Sequence, residues 1–119
     1  MGERPKPSSM VDVMSSESSV SDEIDTSTES SPITVLTPGK GRLISTRGVY
    51  IFSDSSAGDV EAKYSNSGKI LAKLYCSKFQ GLTLPEVRID GDVDEGIVIT
   101  WLDVSVGSKI FYVIRYKEI

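Results

Sequence analysis

From Ile33 to the last residue, apolar and polar residues alternate at a period of two, and turn residues interrupt the alternation. This is the period of a β-strand, whose successive side chains point to opposite faces of a sheet. No stretch combines the 3.6-residue periodicity of a helix with capping residues. Seven strands are predicted, at 33–37, 42–52, 59–64, 69–77, 87–89, 96–104 and 109–117. The spacing predicts an all-β fold, an antiparallel β-sandwich or jelly roll of about seven to eight strands.

Two glycines refine this prediction. Gly48 interrupts the alternation inside the strand 42–52 and indicates a β-bulge. Gly68 closes the sequence Ser-Asn-Ser-Gly at 65–68, which predicts a tight turn. The longest predicted connection is 78–86.

Residues 1–32 differ from the rest of the chain in charge and composition. They carry seven acidic residues, two basic residues and ten serines, whereas all nine aromatic residues lie between Tyr50 and Tyr116. Such a segment buries too little apolar surface to offset the entropy lost on ordering. We therefore predict an extended acidic arm at 1–32, disordered when free, followed by a β-sandwich domain at 33–119.

Two apolar clusters interrupt the serines and acids of this arm. They consist of Met10, Val11, Val13 and Met14, and of Val20 and Ile24. One interpretation is a solvated tail. The other is a docking arm that lays these residues into grooves of a neighbouring subunit, or of another shell protein, over a reach of about 100 Å.

The last two predicted strands are apolar on both faces and are expected to form a final hairpin joined at 105–108. A strand with two apolar faces is either central and covered twice, or lies at a subunit interface. Both alternatives remain open. A domain of 87 residues has little material with which to cover both faces, so the second predicts a homo-oligomer, a trimer in preference to a dimer. The interface residues predicted here are Trp101, Phe111, Tyr112 and Tyr116.

The composition argues against an enzyme. The chain has no histidine, which is the commonest general base and a common zinc ligand. The single cysteine, Cys76, lies on the apolar side of its predicted strand and is expected to be a small buried residue. The Gly-Lys pair at 39–40 lacks the spacing and the helix of a phosphate-binding loop. No catalytic residue and no cofactor are predicted.

One acidic loop, at 90–96, has the alternate carboxylates that can converge on a calcium ion. The candidate ligands are Asp90, Asp92 and Asp94. The match to an EF-hand is poor, because Gly96 comes one position late and Trp101 stands where a glutamate is required. The alternative is an exposed turn whose acids discourage edge-to-edge pairing. No resident metal is predicted.

The lysines predict at most a small basic strip, formed by Lys63, Lys69, Lys73 and Lys78. The domain is nearly neutral and the acidic arm would repel phosphate, so we expect no nucleic-acid partner. The strip is equally suited to receiving the acidic arm of a neighbouring copy.

Three tyrosines, Tyr50, Tyr64 and Tyr75, suggest an aromatic platform. This supports a carbohydrate-binding or receptor-binding β-sandwich module as the alternative function.

Neither a membrane span nor a secretory leader is expected. No run of 18 apolar residues occurs, and the first residues lack the apolar core of a signal peptide.

Three segments give the chain a resemblance to a known type. They are the strand ending in Thr37-Pro38-Gly39, the turn at 65–68 and the closing strand Val-Gly-Ser-Lys-Ile-Phe-Tyr-Val-Ile-Arg-Tyr at 106–116. Residues 33–119 thereby resemble small jelly-roll virion proteins, namely the decoration or cement proteins of tailed viruses and related fibre domains. The resemblance implies trimers on a capsid surface, N-terminal arms that clasp neighbouring subunits, and no catalytic residues. A structural assembly protein of a virion surface or an extracellular assembly is therefore the expected function.

Overall fold

The structure is a computed structural model that describes residues 17–78, 80–83 and 87–119; of 80–83 only the backbone is described. Buried and less buried side chains alternate along several of its strands. In the strand Asp59–Tyr64, for example, Val60, Ala62 and Tyr64 are buried and the residues between them are partly exposed. The described strands are β1 (Glu17–Asp25), β2 (Ile33–Leu36), β3 (Ile44–Ser53), β4 (Asp59–Tyr64), β5 (Ile70–Tyr75), β6 (Gln80–Thr83), β7 (Ile89–Asp90), β8 (Ile97–Leu102) and β9 (Lys109–Glu118).

The strands form two antiparallel sheets in a sandwich-like arrangement. The first sheet has the order β1-β9-β3-β7, and the second has the order β2-β8-β4-β5-β6. The apolar core lies between them and includes Ile44, Val60, Ile99 and Ile114, which have no exposed surface. The prediction of an all-β antiparallel sandwich is confirmed, and each of the seven predicted strands is present with small shifts of its ends. Within the described residues, no helix has the length and apolar character needed to cross a membrane.

Strand β1 lies inside the segment that the sequence assigned to the arm. It pairs with β9 along its whole length, from Glu17 opposite Lys117 to Asp25 opposite Lys109. Val20 and Ile24 are an even number of residues apart, so both side chains face the core, where Ile24 is 2% exposed. A core strand thus lies within the residues that the sequence assigned to the arm. The predicted arm's first apolar cluster, Met10, Val11, Val13 and Met14, lies outside the described residues.

The prediction of a final hairpin is wrong. Strand β8 pairs with β2 and β4, and β9 pairs with β1 and β3 in the other sheet. The connection 103–108 crosses between the sheets because hydrogen bonds fix it at both ends. The Ser105 amide donates to Ser55 Oγ at 3.0 Å, and the Thr26 amide donates to the Ser108 carbonyl oxygen at 3.1 Å.

The two predictions based on glycine are confirmed. The pairing of β3 with β9 shifts register between Thr46 and Gly48, as a bulge requires. Gly68 has a φ of 74°, the left-handed conformation that closes the turn after Tyr64. Strand β6 was missed, because its residues 80–83 fall within the predicted connection 78–86. The predicted strand 69–77 ends earlier, at Tyr75, and Cys76–Lys78 form a turn of 3-10 helix.

Candidate functional site

Four apolar side chains share the outer face of the first sheet, on its two central strands. Phe52 lies opposite Phe111 in the register, and Tyr50 lies opposite Val113. Their exposed fractions are 63% for Phe52, 41% for Phe111, 37% for Tyr50 and 38% for Val113. Their neighbours along each strand point inward, so this group, here called the aromatic face, is a continuous apolar surface turned to solvent.

Local packing arranges the aromatic face. The rings of Phe52 and Phe111 are 6.3 Å apart between centroids and tilted by 37°, a favourable arrangement for two aromatic rings. A Cβ at Gly48 would lie 3.3 Å from the Tyr50 ring, so the bulge glycine provides the space that the ring occupies. A shallow cavity of about 120 Å³ lies among these side chains.

The aromatic face has an acidic border on the β1 side. Ser21 and Glu23 stand next to Val113 and Phe111 in the register. Two ion pairs attach β1 to β9: Arg115 Nη2 lies 2.9 Å from Glu17 Oε1, and Lys109 Nζ lies 3.0 Å from Asp25 Oδ2. Hydrogen bonds from Ser27 and Lys109 lower the pKa of Asp25 to about 2. The carboxylates on β1 also discourage pairing of this edge strand with the same strand of another copy.

The structure distributes the predicted interface residues between the core and the surface. Phe111 lies on the aromatic face. The side chains that pack in or against the core are Val20, Ile24, Trp101, Tyr112 and Tyr116. Met10, Val11, Val13 and Met14 lie outside the described residues. Contact of any of these residues with another chain stays a prediction.

Sequence reasoning missed Phe52 and assigned Tyr50 to a different surface. A signal was available in the run Val-Tyr-Ile-Phe at 49–52, which is apolar on both faces, as β9 is. Two such strands bury the most apolar surface when they pair at the centre of one sheet, because their outer side chains then contact each other. The pairing with β9 was hidden by the hairpin prediction.

The acidic loop before β8 is held together by a carboxylate that was not among the calcium candidates. The side chain of Glu95 is buried, with 3% of the residue exposed, and accepts hydrogen bonds from the amides of Asp92 (2.7 Å), Asn66 and Ser67. Burial raises the pKa of Glu95, but these amides outweigh it and leave the pKa below its usual range. Glu95 thus ties the turn after β4 to the loop before β8.

Two of the three candidate calcium ligands, Asp90 and Asp94, make separate side-chain contacts. Asp90 forms an ion pair with Arg88, whose Nε is 3.0 Å from Oδ1, and this guanidinium holds the pKa of Asp90 below its usual range. Asp94 accepts a hydrogen bond from the Gly41 amide at 2.6 Å. Within the described residues, no group of three or more acidic or cysteine side chains is placed to hold a metal ion.

The predicted basic strip is broken up by acids. Lys73 and Lys63 lie 3.4 Å and 3.9 Å from the two oxygens of Glu61, and Lys69 Nζ donates to the Asp90 carbonyl oxygen at 2.8 Å. Lys78 is exposed at the end of the 3-10 turn. These side chains therefore present mixed charge.

The three tyrosines do not form one platform. Tyr64 is fully buried and hydrogen-bonded inside the core, Tyr50 belongs to the aromatic face, and Tyr75 is exposed on β5 in the second sheet. Cys76 is buried, as predicted, and burial raises the pKa of its thiol.

Comparisons with protein-family models, with curated proteins and with solved structures found no match to this chain.

Proposed function

We propose that the chain is a structural assembly protein that binds another protein subunit through its aromatic face. The observation that supports this is a continuous exposed apolar surface on the two middle strands of the first sheet. It consists of Phe52, Phe111, Tyr50 and Val113. Contiguous exposed apolar surface of this kind is typical of protein–protein contacts. Aromatic side chains at the centre of a contact supply most of its binding energy. The function requires no catalytic residue and no cofactor.

The size of the aromatic face indicates that it is the centre of a contact and not a whole interface. Its exposed side-chain area is roughly 300 Å² if whole aromatic side chains bury about 150–250 Å² each. A stable interface buries about 800 Å² per partner. The contact therefore needs a partner segment that adds to this area, and we propose that Met10–Met14 of a neighbouring copy supplies it by lying on the aromatic face.

The register favours a neighbour over the same chain as the source of this segment. Glu17 is opposite Lys117, and the aromatic face begins four residues further along β1, opposite Ser21. That distance is about 13 Å along the sheet, and a segment lying on the sheet adds about 10 Å of height. Met14 is three residues before Glu17 and reaches only about 10 Å. Met14, the last apolar residue of the segment, is thus too close to Glu17 to reach the aromatic face of its own chain.

The setting and the symmetry follow from the resemblance given above. A jelly-roll decoration protein on a virion surface, assembled as a homotrimer, would use both parts of the chain: each β domain receives a neighbour's arm on its aromatic face, and its own arm clasps a neighbour or a shell protein. Joining two weak contacts through one chain raises the effective concentration of the second and so increases avidity.

The test of the aromatic face is the mass of the full chain in solution, measured by light scattering. We expect a mass of at least twice 12.9 kDa, and return to 12.9 kDa in the double variant Phe52→Thr, Phe111→Thr. The matched control is Ile70→Thr, Val106→Thr, which removes two exposed apolar side chains elsewhere and should keep the oligomer. Association that is equal in both double variants would refute the role of the aromatic face.

The arm is tested by complementation. In an arm variant, the four apolar residues of 10–14 are replaced by serine. We expect the arm variant and the Phe52→Thr, Phe111→Thr variant each to be monomeric, and their mixture to form a heterodimer, because one retains the aromatic face and the other the arm. If the arm variant alone associates like the wild-type chain, the copies contact each other through the aromatic face without the arm.

A further inference from the structure

The second sheet has a polar depression in its outer face, on the side of the sandwich away from the aromatic face. It has a volume of about 220 Å³. Its walls come from three neighbouring strands, β8, β4 and β5. The lining residues are Asp59, Glu61, Lys73, Thr100, Trp101 and Leu102.

The strand register places these residues in two rows across the sheet. Asp59 on β4 lies between Leu102 on β8 and Tyr75 on β5. In the next row, Glu61 lies between Thr100 and Lys73. Because Leu102 is 66% exposed and Tyr75 is 39% exposed, the first row has a carboxylate flanked by two accessible apolar surfaces.

The depression is lined by two carboxylates and one lysine, and Lys63, beside Glu61 but outside the lining, balances the second negative charge. Glu61 carries one negative charge and lies within 4 Å of both Lys73 and Lys63, and Asp59 supplies the second negative charge. The Lys73 ammonium lies 5.3 Å from the centre of the Tyr75 ring, within the range of a cation–π contact. One face of this ring therefore already has a cation of the chain over it, while 39% of the residue stays exposed.

This balance determines the class of ligand that fits. An anion would meet the carboxylates of Asp59 and Glu61, and a cation would compete with two lysines already in place. A neutral molecule with many hydroxyl groups avoids both costs. Its hydroxyls can donate to Asp59 and Glu61, accept from Lys73, and do either with Thr100.

We propose that this depression binds one neutral sugar residue of a glycan. Asp59 and the polar groups of the second row bond the hydroxyls. The exposed surfaces of Leu102 and of Tyr75, which adjoins the lining on β5, contact the C–H groups of the ring. The volume is below the 300–1,000 Å³ of sites for drug-sized ligands, which suits a single ring. The site is independent of the aromatic face, so the chain can bind a subunit on one side and a glycan on the other.

The experiment uses the full chain labelled with 15N, titrated with glucose, galactose, mannose and N-acetylglucosamine as separate probes. For at least one sugar, we expect saturable changes in the amide shifts of Glu61, Lys73 and Thr100, at millimolar concentrations. Asp59→Ala and Tyr75→Ala should each raise the dissociation constant at least tenfold, as the loss of a charge-assisted hydrogen bond or an aromatic contact does. Tyr50→Ala, on the opposite side of the sandwich, should leave it unchanged.

Three results would overturn the proposal. The first is no saturable shift with any of the four sugars up to 100 mM. The second is a shift that persists unchanged in Asp59→Asn, which keeps the side-chain shape and so separates binding from folding. The third is tighter binding of methylammonium than of any sugar, which would make the depression a cation site. None of these results bears on association through the aromatic face.

Discussion

The hydroxyl of Tyr64 lies 2.7 Å from the carbonyl oxygen of Ile89 and 2.9 Å from that of Ile44. Tyr64 belongs to the second sheet, and both carbonyls belong to the first, on the neighbouring strands β7 and β3. Burial raises the pKa of Tyr64 to about 12, so the hydroxyl keeps its proton and remains a donor. One fully buried side chain thus links the two sheets at a polar point in the core.

Replacing Tyr64 with phenylalanine should destabilise the fold. The variant keeps the ring and removes one donor from two carbonyl oxygens that still accept from the Gly91 amide (Ile44) and the Thr46 hydroxyl (Ile89). The expected cost is therefore that of one ordinary hydrogen bond, about 1 kcal/mol of unfolding free energy. Urea denaturation followed by circular dichroism measures it. Tyr75→Phe is the matched control, because the hydroxyl it removes is on an exposed tyrosine, and its change should stay within about 0.5 kcal/mol. Equal effects of the two variants would contradict this account.

Gly91 should not tolerate alanine. A Cβ at this position would lie 2.6 Å from Cε1 and 2.7 Å from Cδ1 of the Tyr64 ring, which is fixed by its hydrogen bonds. The clash should cost about 1–3 kcal/mol. Gly39→Ala is the control, because its Cβ would meet the end of the flexible Glu118 side chain at 3.0 Å, and a small movement relieves this contact. Thermal denaturation of both variants compares them, and a Gly91→Ala protein as stable as Gly39→Ala would show that the ring moves freely.

The positions of strands were predictable from the sequence because alternation is a local property. Val60, Ala62 and Tyr64 show it plainly, and the bulge and turn glycines are equally local signals. Strand β1 was missed because serines and acids separate Val20 from Ile24, so that only two apolar side chains mark a strand of nine residues. Its stability comes from pairing with β9, which lies about 90 residues away in sequence.

The pairing of strands was not predictable, and the candidate site depends on it. The short polar connection 103–108 has the composition of a hairpin turn. Its path between the sheets is set by contacts with Ser55 and Thr26, both distant in sequence. Because the pairing of β3 with β9 was not predicted, Phe111 was named as an interface residue whereas its partner Phe52 was not.

Glu95 should be required for the structure of the loop that it closes. In Glu95→Gln, one carboxylate oxygen becomes an NH2 group that faces a backbone amide donor, from Asp92 on one side or from Asn66 and Ser67 on the other. Two donors then face each other, and the expected cost is about 1–3 kcal/mol in urea denaturation at pH 7. Asp103→Asn is the control: the residue is exposed and has a φ of 60°, a conformation that asparagine tolerates. Hydrogen exchange of the amides of Asn66, Ser67 and Asp92 should become faster in Glu95→Gln only.

Acid should destabilise the protein through the same carboxylate. The pKa of Glu95 in the folded chain lies below its ordinary value of 4.5, and that of Asp25 falls from 3.8 to about 2. Both pKa values are lower in the folded state, so the unfolded chain binds more protons below about pH 5. The stability that these groups contribute is present above their ordinary pKa values and is lost as the pH falls through the folded values.

Urea denaturation between pH 7 and pH 3 should therefore show a smaller decrease in the free energy of unfolding for Glu95→Gln than for the wild-type chain. Asp25→Asn removes a group with a lower ordinary pKa than Glu95, so it should change the dependence of the unfolding free energy on pH mainly below pH 4. Parallel profiles for the wild-type and Glu95→Gln proteins would mean that Glu95 titrates alike in the folded and unfolded states.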